Sequence, residues 1–373
     1  MDVKHTVRSA PTLARPPGTA GRGICTTVDS LGPAYGAGMK VAMLGTVAWR
    51  TPPRAYGPWE VVVSLLTEGL VARGVDVTLF ATLDSQTAAT LDGVCARPYG
   101  EDPSLDGRVW EALHTAHCLA RSAEFDIVHN HLDWLPLAMS RFAACPMVTT
   151  IHGFGDRRIL PAYVQARSAF VAISDADRSP RLKYAATVHH GVDENDWPFV
   201  AAGGDHLVSF GRIHPDKATA DAIEIARRCG RPLVIGGPVQ DEAYFQERVL
   251  PHIDGDQVTY LGNVGGPGRA VVLGGAGALL HPLGFDEPFG LSVVEAMMCG
   301  TPVVAYRRGA LPETVDDGLT GILVDDVGAA VAAVPRALRL DRRGVAATAR
   351  VRFSATRMVD AYLSVYETVL ARR

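Results

Sequence analysis

Gly284-Phe285-Asp286-Glu287-Pro288-Phe289-Gly290-Leu291-Ser292-Val293-Val294-Glu295-Ala296 sets two carboxylates eight positions apart around a short turn that opens a helix. An apolar stretch of strand length, Ala276 to Leu283, leads into it. The helical pattern stops at Cys299-Gly300, and Thr301-Pro302 begins another apolar run, Val303–Tyr306. Glu287 therefore falls on the loop leaving a parallel strand, and Glu295 in the first turns of the next helix. Ligands of open α/β sheets bind at that carboxyl edge. Backbone N–H groups of Phe289, Gly290 and Leu291 would face such a ligand, with the positive helix end behind them. A phosphate fits there, with a carboxylate on each side to accept hydrogen bonds from sugar hydroxyls. Either Glu alone reads as a favourable charge at a helix start. The pair, joined to Pro-Phe-Gly and Gly-Thr-Pro, is much more specific.

Outward from this stretch, strands and helices alternate. Val41–Leu44 reads as a strand and Glu60 to Arg73 as a helix with Val61, Leu65, Leu66 and Val71 on its apolar face; Gly74 stops it before the strand Val75–Phe80. Further short apolar strands fall at Phe125–His129, Val148–His152 and Ala169–Ser174. Gly191 to Asp205, with its Gly, Asp, Asn and Pro, reads as a linker. A second alternating half follows through Leu207–Phe210, Leu233–Ile235, Val258–Tyr260, Gly277–His281, Val303–Tyr306 and Gly321–Val324. The spacing predicts βαβ units and parallel sheets. A last helix, about Ser354 to Ala371, carries Met358, Tyr362, Val365 and Val369 on one face.

Glu287 and Glu295 resemble the E-x7-E signature of the retaining family-4 glycosyltransferases. That family has the GT-B fold, α/β, with two Rossmann-like domains facing across a cleft and a C-terminal helix crossing back to the first. The resemblance runs from Met39 to the C-terminus and is strongest between Gly211 and Gly321. It implies an acceptor domain over residues 39–197, a nucleotide-sugar domain over 198–353 and the crossing helix over 354–373. Residues 1–38, rich in Gly, Pro, Ala and Thr and poor in acids, read as a disordered extension or a start assigned too early; they lack the apolar region of a secretory signal.

Gly211-Arg212-Ile213-His214-Pro215-Asp216-Lys217 follows the first strand of the second half, facing the same edge as the Glu pair. Arg offers a bidentate fork and Lys a mobile point charge, a pair suited to a diphosphate, although such a pair also occurs in plain solvated turns. The segment resembles the family's G-R-x-x-x-x-K motif, which implies that Arg212 and Lys217 hold the nucleotide diphosphate. Ala218 stands where the family usually has Gly. Between the first strand and its helix the family has a Gly-Gly pair; here Gly57 is followed by Pro58, which lacks an N–H, so only Gly57 is kept as a donor contact. Trp49, Tyr56 and Trp59 either shape that loop or stack on an acceptor.

His129, His131 and His152 end two strands at the same edge. The H-x-H spacing invites a metal, but no third ligand stands out and the phosphate charge is answered by Arg212 and Lys217, so no metal is expected. His152, in Thr150-Ile151-His152-Gly153, resembles the family position facing the donor sugar, and the resemblance makes His152 and Glu287 the catalytic residues. Donor binding is then expected at Gly57, Arg212, Lys217, Glu287, Phe289, Gly290, Leu291 and Glu295, with Glu295 on the ribose. The pair His189-His190 is expected to be structural.

With 373 residues, 47% hydrophobic and 20% charged, the chain suits two domains with real cores. A net charge of −4 gives no general attraction for nucleic acid or anionic lipid. The six cysteines have no C-x-x-C spacing and read as reduced, in a cytoplasmic protein. No apolar run approaches the about 18 residues of a membrane span, so no stable membrane anchor is expected. No G-x-G-x-x-G follows the first strand, and there is no P-loop or G-x-S-x-G. The resemblance implies transfer of a hexosyl group from a nucleotide sugar, on base rate a UDP-sugar, to an acceptor hydroxyl with retention. The nucleotide sugar is a substrate, so no cofactor is expected; the acceptor is a small molecule or glycan. A GT-B nucleotide-sugar epimerase and a non-catalytic sugar-nucleotide-binding subunit stand as alternatives.

Overall fold

The computed structural model describes residues 38–54, 57–153 and 157–372; the expected extension (Gly38 apart) and Tyr56 lie outside the described residues. Seven strands form a first parallel sheet: β1 Lys40–Leu44, β2 Asp76–Phe80, β3 Thr90–Asp92, β4 Ile127–Asn130, β5 Met147–Ile151, β6 Ala169–Ala172 and β7 Tyr184–Thr187, in the order β3-β2-β1-β4-β5-β6-β7. Six form a second: β8 Leu207–Phe210, β9 Leu233–Gly236, β10 Val258–Tyr260, β11 Ala278–His281, β12 Val303–Tyr306 and β13 Gly321–Val324, in the order β10-β9-β8-β11-β12-β13. Every strand pairing within the two sheets is parallel.

Both sheets are covered on both faces, which explains their near-continuous apolar strands. In β1, Val41 and Met43 enter one core while Ala42 and Leu44 enter the opposite one. In β11, Leu279 faces one way and Ala278 and Leu280 the other. Strand order reverses at β1/β4 and at β8/β11. A crevice opens outside the strand ends at such switch points, and the loops after β1, β8 and β11 supply most of the site.

The last helix, Ala355–Leu370, buries Met358, Val359, Tyr362, Leu363, Val365 and Tyr366 in the core of the first sheet. Its four aliphatic members contribute about 1.5–3 kcal/mol each. It lies against the first helix, Pro58–Ala72, so closely that a Cβ on Gly69 would sit 2.4 Å from Val359 Cγ2.

The first helix corrects the expected face. Its buried residues are Glu60, Val62, Val63, Leu66, Thr67 and Leu70, whereas Val61, Leu65 and Val71 are only half-buried. The helix is contacted by the sheet on one side and by the last helix on another, and Val61 and Leu65 line cavities toward the second sheet. A single apolar stripe does not describe a helix with several partners. The edge strands β3 and β7, with half-exposed side chains, have no counterpart in the sequence reading, and among the helices it did not locate, Gly107–Ala120 is capped by the Asp106 carboxylate on the N–H groups of Arg108 and Val109.

Candidate functional site

The loop after β8 is pinned by Gly211 N–H donating to Gly236 O at 3.0 Å and by Ile213 N–H donating to Pro238 O at 2.8 Å. Gly237 crosses it with no room for a side chain; a Cβ there would fall 1.8 Å from Gly211 O. The His214 ring accepts from Asp216 N–H and starts the short turn Pro215–Lys217, which ends on Ala218 at φ 46. Lys217 is thereby aimed across the switch point, its Nζ 2.6 Å from Glu287 Oε2 and 4.5 Å above the centre of the Phe285 ring. The Arg212 guanidinium hydrogen-bonds the Gln240 side chain.

The Glu287 loop is fixed from below, where Ala310 N–H donates to Glu287 O at 2.7 Å and Gly309 (φ 54) leaves no space for a Cβ beside Glu287 N, 2.3 Å away. Gly290, at φ 90, turns the chain into the helix Leu291–Met298. His281, at the end of β11, brings Nε2 to 3.6 Å from Glu287 Oε2. Burial works against a charge on Glu287, but His281 and the Lys217 ammonium outweigh it and hold the carboxyl at about 2. Burial lowers the His281 imidazole in turn. Glu287 is an anion paired with a cation before any ligand arrives.

Glu295 is different. It is buried, and burial raises its carboxyl against the opposing pull of Arg269, whose guanidinium pairs with it. Arg269 sits on the helix Gly266–Gly275 with its guanidinium carbon 4.7 Å from the centre of the Phe210 ring.

Across the cleft, Gly57 precedes the first helix, whose first residue is Pro58. A Cβ on Gly57 would meet Pro53 Cβ at 2.7 Å and Glu60 Oε2 at 2.9 Å, so the loop requires glycine. Trp59 stacks on His152 with centroids 5.0 Å apart and planes 19° from parallel. Trp49 underlies Gly100. Trp49 therefore shapes the loop, while Trp59 both packs on His152 and lines the cavity. Neither nitrogen of His152 is free: Nε2 lies 2.9 Å from His131 Nδ1 and Nδ1 3.3 Å from His190 Nε2.

A cavity of about 280 Å³ brings together all the residues expected to bind or act on the donor: Gly57, His152, Arg212, Lys217, Glu287, Phe289, Gly290, Leu291 and Glu295. Its wall also includes Arg269 and His190, neither of which the sequence reading placed there. Of the pair expected to be structural, His190 thus belongs to the cavity, while His189 turns toward Glu313, 3.5 Å away. Arg269 had no motif to mark it. Among the described residues, no group of three or more His, Cys, Asp or Glu side chains is arranged to hold a metal ion, and no helix is long and apolar enough to cross a membrane. Cys95, Cys118, Cys229 and Cys299 are free thiols.

Comparison with known proteins agrees with this architecture. Residues 59–195 match the family model described as Glycosyltransferase Family 4, and residues 197–349 match the one described as Glycosyl transferases group 1. The chain is 31% identical to the D-inositol 3-phosphate glycosyltransferase of Saccharomonospora viridis, over 84% of this chain and 90% of that protein. It is 27% identical to the glycogen synthase of Mycobacterium tuberculosis, over 74% of this chain and 80% of that one. Among solved structures it resembles AviGT4, a glycosyltransferase involved in avilamycin A biosynthesis, at 25% identity and TM-score 0.72, covering 90% of this chain and 99% of that one. Anabaena HepE, solved with UDP and glucose, shares the fold at 18% identity and TM-score 0.67, covering 88% and 100%.

Proposed function

This chain belongs to the GT-B glycosyltransferases, which use nucleotide-sugar donors, and we propose that it is a family-4 member that moves a hexosyl group from a UDP-sugar to an acceptor hydroxyl with retention of configuration. The observation that carries this reading is the partly buried Lys217–Glu287 pair in the donor cavity, at 2.6 Å. Such a transfer must stabilise a departing diphosphate and an oxocarbenium-like sugar. Lys217 and Arg212 take the diphosphate, helped by Gly57 and by the helix start at Phe289, Gly290 and Leu291. When the phosphate draws Lys217 away, Glu287 becomes an uncompensated anion, ready for sugar hydroxyls and for positive charge developing on the ring. Glu295, held by Arg269, accepts from the ribose hydroxyls. His152 has both ring nitrogens engaged, so it meets the sugar through its main-chain carbonyl and ring edge. The leaving diphosphate takes the acceptor proton. Phosphate charge is met by Arg212 and Lys217, so turnover needs no metal. The presence of UDP in HepE supports a uridine donor.

The test is incubation with UDP-glucose, with and without acceptors. UDP release that depends on an acceptor hydroxyl is the expected result. Release without any acceptor would favour an epimerase, and binding without turnover a non-catalytic subunit.

A further inference from the structure

Behind the donor cavity four imidazoles run in single file into the core of the first sheet. His190 Nε2 lies 3.3 Å from His152 Nδ1, His152 Nε2 2.9 Å from His131 Nδ1, and His131 Nε2 3.3 Å from His129 Nδ1. His129 then meets two hydroxyls, Tyr366 Oη at 2.7 Å from Nδ1 and Thr150 Oγ1 at 2.9 Å from Nε2. Thr150 Oγ1 is itself 2.7 Å from Tyr362 Oη. Both tyrosines belong to the last helix, so the file joins the donor cavity to the end of the chain. All four rings are buried, and burial draws each well below the ordinary histidine range, keeping them neutral.

A neutral imidazole has one N–H and one lone pair. A file linked nitrogen to nitrogen therefore has two states, with all protons pointing toward the core or all toward the cavity. The states differ at their ends. With protons toward the cavity, His129 Nδ1–H must serve both His131 and Tyr366. His190 Nδ1, which has no partner among the described residues, then becomes a buried N–H without an acceptor. With protons toward the core, Tyr366 O–H and His131 Nε2–H share the single lone pair of His129 Nδ1, so this end is shared in either order. His129 Nε2–H donates to Thr150, and Thr150 O–H donates on to Tyr362. Only a bare lone pair on His190 Nδ1 is left over. A buried unpartnered N–H is the rarer and costlier defect.

We propose that Thr150 and Tyr366 are positioning residues that hold this file with its protons toward the core, so that His152 stands beside the donor sugar as a single tautomer, Nε2–H, in a fixed plane. Its value for catalysis rests on the transferase reading, because a wall that cannot re-tautomerise needs no reorganisation as charge develops. Its test does not.

Nitrogen-15 spectra of the full chain labelled at histidine read neutral tautomers directly, with no donor or acceptor present. His131, His152 and His190 should all be Nε2–H. Thr150→Val strips the acceptor from His129 Nε2–H, so each order then leaves one buried N–H unpartnered and the preference for the core direction is lost. His152 should become a mixture of Nε2–H and Nδ1–H, and kcat for transfer should fall in proportion to the fraction converted, with donor KM unchanged. Tyr366→Phe removes a single hydroxyl; it should give a smaller converted fraction and an intermediate kcat, and it stands in if Thr150→Val does not fold. A wild-type His152 in the Nδ1–H form, variants whose tautomers do not move, or a converted tautomer with unchanged kcat would each overturn the proposal. The expected tautomers in a protein without glycosyl transfer would support the ordering and sink the transferase reading alone.

Discussion

At the scale of single residues, Ala218 carries a cost the loop does not need. It sits at φ 46 and ψ 45, the left-handed region, as the cap of the helix Thr219–Arg228. A side chain there costs about 1–2 kcal/mol, while glycine's extra chain entropy returns about 0.5–1. Ala218→Gly should therefore raise stability by about 0.5–1 kcal/mol, seen as a higher urea midpoint at unchanged slope; a lower midpoint would show that the Cβ makes a contact worth more than the strain. This dihedral explains the preference for Gly at this position; nothing in the structure explains the alanine. Glu287 and Lys217 were legible in the sequence, because each lies on a turn just after a strand and local pattern is enough to place it. Arg269 was not. Its role depends on where the helix Gly266–Gly275 lies against Glu295, and no local pattern encodes that contact. His190 was missed for the same reason, being placed by the neighbouring His152 ring.

Among elements, the junction of the first and last helices is the one where a single atom decides the packing. Gly69→Ala gains about 1 kcal/mol of helix propensity but drives a Cβ to within 2.4 Å of Val359 Cγ2. Overpacking of this kind costs about 1–3 kcal/mol. The variant should be destabilised, and Gly69→Ala combined with Val359→Ala should be no less stable than Val359→Ala alone, since the smaller partner vacates the contested space. Chemical denaturation of the three variants measures this coupling, and strict additivity would mean the helices do not meet as described. The extent of the last helix was readable from its apolar spacing; which face of the first helix is buried was not, because it is set by partners on several sides. Edge strands β3 and β7 escaped notice because half-exposed edges have no strong apolar signature.

For the whole molecule, two parallel sheets with matching switch points explain why loops so distant in sequence share one cavity. That architecture was legible as a rhythm of short apolar strands and intervening helices, whereas the facing of the two halves came only from resemblance. One consequence of meeting phosphate charge with Arg212 and Lys217 is that transfer should persist in excess EDTA. Activity abolished by chelation and restored by Mg²⁺ or Mn²⁺ would contradict it. The two glutamates, one paired with Lys217 and the other with Arg269, provide the most direct test of the account. In the proposed reaction Glu287 acts on a sugar that gains charge, so its interaction would strengthen in the transition state, while Glu295 would hold the ribose equally throughout. Steady-state kinetics of Glu287→Gln and Glu295→Gln with UDP-glucose should show a fallen kcat in the first and mainly a raised donor KM in the second. Two fully active enzymes would contradict it.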